Sequence, residues 1–131
     1  MMTKLRVLEL FSGVGGMHSA CDVVSDVTNT EMSVIGAVDI NTVSNEVYRH
    51  NHPSTPCLQR NITGLTPDYL RSLSPDLILM SPPCQPHTRQ GKQLDRQVSG
   101  SHQSNIFVRI IFLDFADHDD RILGVHLWNT W

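Results

Sequence analysis

Leu5-Arg6-Val7-Leu8-Glu9-Leu10-Phe11 runs directly into Ser12-Gly13-Val14-Gly15-Gly16, and this junction decides the fold. The first seven residues are short, β-prone and mostly apolar, which reads as a buried strand. Glycines at 13, 15 and 16 stop it with a turn that side chains would crowd. Met17 to about Asp26 then fits a helix, with Met17, Ala20, Cys21 and Val24 at helical spacing. A strand, a glycine turn and a helix open a βαβ unit.

Outward from that unit the alternation repeats. Asp26 to Met32 is polar and reads as a loop. Val34-Ile35-Gly36-Ala37-Val38 is a second buried strand ending at Asp39. Asn41 is a plausible N-cap for a helix through Asn51, with Val43 and Val47 on one face, and Pro53 to Pro56 ends it. Thr66-Pro67 supplies a cap and an N1 proline for a short helix ending near Leu73. Leu77-Ile78-Leu79-Met80 is a further strand, stopped by Ser81-Pro82-Pro83. The expected fold class is α/β: a mostly parallel sheet flanked by helices on both faces. Such sheets bind ligands beyond the carboxyl ends of their strands. Ser12–Gly16, Asp39–Asn41 and Ser81–Gln85 all fall there.

With 131 residues, 40% hydrophobic and 18% charged, the chain has the composition of one globular domain rather than of a disordered segment. No apolar run approaches the ~20 residues of a bilayer span, and no signal-peptide core precedes the first strand. The net charge of -3 means that any nucleic-acid contact must come from a local patch. Cys21, Cys57 and Cys84 are an odd, sparse set. They suggest free thiols in a reducing compartment, cytoplasm or nucleus.

The glycine turn lacks the third glycine of a dinucleotide fingerprint, because position 18 is His18. That weakens a pyrophosphate-binding reading, hence a nicotinamide oxidoreductase, and suits S-adenosylmethionine. Asp39 stands where a carboxylate accepts ribose hydroxyls. A plain structural turn with a helix-capping aspartate remains the alternative from these residues alone. Ser81-Pro82-Pro83-Cys84-Gln85-Pro86 is more specific. Its prolines fix the backbone, and a cysteine held there is a candidate nucleophile. Amino-methyltransferases carry an aromatic residue at the corresponding place in a related turn. A thiol there points to carbon methylation, since addition to carbon 6 of a pyrimidine makes carbon 5 nucleophilic.

These stretches resemble the cytosine-5 methyltransferases. Leu8 to His18 is similar to the family's first motif. Val38-Asp39-Ile40-Asn41-Thr42-Val43, with Asn45-Glu46-Val47-Tyr48, is similar to its ribose-binding motif. Leu79 to Gly91 is similar to its catalytic motif. The Pro86-His87-Thr88-Arg89-Gln90-Gly91 run resembles insect members of the DNA-methyltransferase-2 subfamily, which methylates cytosine in the anticodon loop of aspartate tRNA. The resemblance implies a Rossmann-like fold, incomplete here, and methyl transfer from S-adenosylmethionine to carbon 5 of cytosine. The substrate implied is tRNA first and DNA second. Cys84 is implied as the nucleophile. Phe11, Ser12, Gly13, Val14, Gly15, Gly16, Asp39, Ile40, Asn61, Ile62, Thr63 and Ser81 are implied at the cofactor. Gln85, Arg89, Lys92 and Arg96 are implied at the nucleic acid.

The resemblance covers about residues 5 to 97, the expected front part of a catalytic domain, and residues 98–131 form an unaligned tail. No Glu-Asn-Val motif occurs, the last glutamate being Glu46, so the chain reads as truncated and its turnover as weak or absent. A non-enzymatic cofactor-binding or nucleic-acid-binding remnant is the alternative. Ser99 to Asn105 reads as a linker, Asn105 to Phe115 as a strand or a buried helical turn, and Trp128 and Trp131 as an incidental tail. His50, His52 and Cys57, and the Asp117–Asp120 run, lack recognised zinc spacing, and no metal site is expected.

Overall fold

The computed structural model describes residues 1–82 and 123–126. Its elements are β1 (Thr3–Leu10), α1 (Gly16–Val27), β2 (Thr30–Asp39), α2 (Thr42–Asn51), β3 (Cys57–Gln59), a 3-10 turn at Ile62–Gly64, α3 (Pro67–Ser72), β4 (Leu77–Met80) and β5 (Leu123–His126). The five strands form one sheet in the order β3-β2-β1-β4-β5, with every pair parallel. The chain steps outward from β1 to β2 and β3, then crosses back to place β4 on the other side of β1. That reversal opens a crevice at the carboxyl ends of β1 and β4. The linker, the Asn105–Phe115 segment, the acidic run and the tryptophan tail lie outside the described residues. β5 falls in the tail segment and extends the sheet beside β4.

Alternation along β1 divides the interior in two. Leu8 and Leu10 face one side with Val38, Ile78 and Met80, and meet Ile62, Leu65 and Leu70 from the 3-10 turn and α3. Val7 and Leu77 face the other side with Cys21 of α1. Each fully buried aliphatic side chain contributes roughly 1.5–3 kcal/mol. β2 reaches both layers through a bulge: Val7 pairs with Val34, but Leu8 pairs with Gly36. The extra residue, Ile35, reverses the alternation. Val34 thereby packs on the Val7 layer and Val38 on the Leu10 layer.

The caps form as the sequence indicates. Asn41 accepts from the Ser44 N–H, and Thr66 accepts from the Tyr69 N–H with Pro67 at the helix start. Arg6 ties the start of β4 to β1. Its N–H donates to the Asp76 carboxylate at 2.8 Å, and its side chain donates to the Ser74 and Leu73 carbonyls at 3.0 and 2.8 Å.

Four sequence readings are corrected. The loop between α1 and β2 is short, because β2 begins at Thr30 rather than at Val34. β3 was not expected. α1 turns His18 and Cys21 inward, while Ala20 and Val24 are exposed. α2 buries Asn45 and Tyr48 and leaves Val43 69% and Val47 40% exposed. Both helices put polar side chains against the sheet because polar partners await them there.

Candidate cofactor-binding edge

β1 ends in a tightly specified turn. Phe11 has φ +54, a conformation that costs a non-glycine residue energy, and its ring packs against the apolar layer. Gly13 and Gly15 have φ +53 and +92. A Cβ at Gly15 would lie 2.8 Å from the His52 ring and 3.0 Å from that of Tyr48. Glycine is therefore required at 15 on two grounds, backbone conformation and space. Gly16 begins α1. Val14 is 52% exposed at the tip.

Asp39 holds this turn to the end of β2. Its Oδ2 accepts from the Gly13 N–H at 2.8 Å and its Oδ1 from the Asn41 N–H at 2.9 Å. Asn45 donates to the Asp39 carbonyl at 3.1 Å. Each carboxylate oxygen retains acceptor capacity. The neighbouring Ile40 side chain is 63% exposed, an apolar surface beside a polar clamp. Asn61 accepts from both the N–H and the hydroxyl of Thr63, whereas Ile62 is buried in the core. Met80 pairs with Leu10, so Ser81 and Pro82 leave β4 beside the turn that leaves β1. Ser12 is 5% exposed, and its hydroxyl has no partner among the described residues. A buried polar atom left this way fits a site that a polar ligand completes. The glycine turn, Asp39 and Ser81 thus converge on one edge. Cys84, Gln85, Arg89, Lys92 and Arg96 lie outside the described residues.

The other two thiols are poor nucleophiles. Burial first, then the Glu9 and Asp22 charges, push Cys21 up to about 11. Burial also raises Cys57, the nearby Arg49 only partly opposing it. Both stay protonated near neutral pH.

Behind the turn lies a cluster that sequence reasoning missed. Glu9 is 1% exposed. It accepts from the Tyr48 hydroxyl at 3.2 Å and from the backbone N–H groups of His18 and Met17. α1 has no side-chain N-cap, so Glu9 supplies from β1 what a capping residue would. Burial lifts its carboxyl to about 7, against the hydrogen bonds that favour the charge. The Tyr48 hydroxyl lies 2.8 Å from His18 Nδ1. Burial first and Glu9 next raise the Tyr48 phenol well above its usual value, keeping it protonated. The His18 ring stacks on His52 at 3.7 Å and 9°, and burial lowers its pKa. The donor atoms of His18, Asp22 and His52 lie within 4.8 Å of one another. Parallel rings do not share a plane in which one ion could be bound by both, so the stack is a packing contact. His50 takes no part. The only advance signal was His18 occupying a position where glycine would be usual.

Comparisons place these features. The family described as C-5 cytosine-specific DNA methylase matches residues 5–113, running past Gln97. A tRNA (cytosine(38)-C(5))-methyltransferase of Spodoptera frugiperda is 48% identical over 119 residues, covering 90% of this chain and 34% of the relative. The Homo sapiens protein of that name is 48% identical over 110 residues, covering 84% and 26%. A solved structure of a Spodoptera frugiperda DNMT2 mutant superposes with TM-score 0.63 at 45% identity, covering 94% of this chain and 35% of that one. The chain therefore spans about a quarter to a third of the length of these relatives. No helix among the described residues is long and apolar enough to cross a membrane.

Proposed function

Since the chain belongs to the C-5 cytosine-specific DNA methylase family, we propose that it binds S-adenosylmethionine at the carboxyl edge of β1 and β2 and serves methylation of cytosine carbon 5 in tRNA. Aspartate tRNA is the first substrate and DNA the second. The observation that carries this reading is the Asp39 clamp on Gly13, set beside the point where Ser81 and Pro82 lead the chain towards Cys84. It is supported by the Ser12 hydroxyl, unpartnered among the described residues, and by the exposed Ile40 side chain next to Asp39.

In this reading the turn from Phe11 to Gly16 holds the methionine part of the cofactor. Asp39 holds the ribose, and Ile40 and the Asn61–Thr63 segment meet the adenine. When bound, the cofactor supplies an electrophilic methyl group. Cys84 adds as thiolate to carbon 6 of cytosine, so that carbon 5 becomes nucleophilic. After methylation, loss of the carbon 5 proton to a base restores the ring double bond and expels the thiolate. Gln85, Arg89, Lys92 and Arg96 position the nucleic acid, the cations through phosphates. The working compartment is cytoplasm or nucleus.

The test is transfer of label from methyl-labelled S-adenosylmethionine to aspartate tRNA. Weak transfer, abolished by Cys84→Ala, is expected. S-adenosylhomocysteine binding without transfer would reduce the function to cofactor or nucleic-acid binding. Absence of both would overturn the reading.

A further inference from the structure

The cluster behind the glycine turn supplies no proposed cofactor contact of its own, yet it meets the turn that does at two points. Glu9 grips the first N–H groups of α1, and the His52 ring lies against Gly15. Between these points runs a continuous chain: Glu9 Oε2, the Tyr48 hydroxyl at 3.2 Å, then His18 Nδ1 at 2.8 Å, with His18 stacked on His52. On its far side His18 Nε2 faces Asp22 Oδ1 at 3.8 Å.

We propose that Glu9 is a positioning residue whose proton state is relayed through the Tyr48 hydroxyl to the His18 tautomer and from there to the cofactor turn. This extends the S-adenosylmethionine reading and rests on it for its effect on binding.

The donor count forces the coupling. Tyr48 has one hydroxyl proton and two neighbours that can accept it. With Glu9 protonated, its O–H donates to the Tyr48 oxygen, and the Tyr48 O–H donates to His18 Nδ1. The single proton of neutral His18 then sits on Nε2, directed at Asp22. When Glu9 gives its proton to solvent, the Tyr48 O–H turns to the carboxylate. His18 must now donate from Nδ1, so its ring proton moves there from Nε2, and an Nε2 lone pair faces the Asp22 carboxylate. One proton leaves the protein and none is created. In the protonated arrangement an Nε2–H faces the Asp22 carboxylate, and in the other a lone pair does, so the protonated one holds the rings against Gly15. Other ionisable groups face the relay: Asp39 from β2, Cys57 from β3, Cys21 from α1 and His52 itself. The cysteines stay protonated.

Nitrogen-15 NMR of the histidine-labelled chain reads the relay without any ligand. His18 should carry its proton on Nε2 at about pH 6 and on Nδ1 at about pH 8, with a midpoint near 7 where Glu9 titrates. In Glu9→Gln the tautomer should stay fixed. In Tyr48→Phe, which keeps the ring, it should no longer follow pH, and His52→Phe should leave the switch intact. A constant wild-type tautomer, or a switch that survives Glu9→Gln, overturns the relay. Calorimetric titration with S-adenosylhomocysteine reads its effect. Wild-type affinity should fall about threefold to tenfold from about pH 6 to about pH 8, the scale of one hydrogen bond, and Glu9→Gln should stay level at the low-pH value. Wild-type binding that ignores pH overturns the positioning role. No binding at either pH overturns the cofactor reading, while the NMR result still decides the relay.

Discussion

The two faces of the sheet mix apolar and polar side chains in different proportions. One is a conventional apolar layer in which Leu8, Leu10, Ile78 and Met80 meet Leu70 and Ile62. The other has a smaller apolar group, Val7, Leu77 and Cys21, and beside it buries Glu9, His18, Asn45 and Tyr48 beneath two helices. The apolar layer is non-directional and tolerates shape changes so long as volume is kept. The polar layer is directional, since each buried group depends on a particular partner. The first is suited to holding the fold, and the second to holding the turn that lies above it.

The comparison breaks most visibly on the apolar side. Leu10→Ala, at a fully buried position, should cost about 3 kcal/mol in urea unfolding, while the ligand affinity of the remaining folded protein changes little. Gly15→Ala should cost less, about 2 kcal/mol, yet reduce S-adenosylhomocysteine binding much more, because both φ and the His52 ring oppose a Cβ there. A large stability loss from Gly15→Ala with normal affinity would erase the distinction between the faces.

The polar face should also show itself in pH dependence. The folded pKa of Glu9 is raised from 4.5 to about 7. The stability this contributes is fully present below the unfolded value and is lost as pH rises through the folded one. Between about pH 6 and pH 8 the wild type should lose about 1.4 kcal/mol, seen as a falling melting temperature. Glu9→Gln should flatten that part of the profile. The smallest effect is expected at α2's exposed valines: Val43→Ser should change stability by less than about 0.5 kcal/mol. A larger loss would mean that the outer surface of α2 is packed after all.

The same contrast explains what could be read from the sequence. β1, the glycine turn, the Asn41 and Thr66 caps and β4 were legible because glycine, proline and capping residues mark them locally. β3 was not, since Cys57-Leu58-Gln59 is too short to show alternation. The inward faces of α1 and α2 were misjudged because periodicity assumes apolar burial. The partners that bury Tyr48 and His18 lie far off in sequence: Tyr48 meets Glu9 across 39 positions. Asp39 was legible as an acidic residue at a strand end, but its grip on Gly13 was not. The catalytic reading rests on Cys84, which lies outside the described residues, and so on the sequence and the family.

Arg6 sits midway along β1, beside the start of β4, yet it sets the tolerance to which the crevice is machined. β4 has only four residues, too few to absorb an error in where it starts. A slip of one position at Asp76 would carry undamped to Met80, displacing Ser81 and Pro82 by about 3.3 Å and turning their side chains over. The guanidinium that fastens Ser74 and Leu73 is thus a datum point. From it the second wall of the crevice is measured out, a full strand length from where the measurement is used.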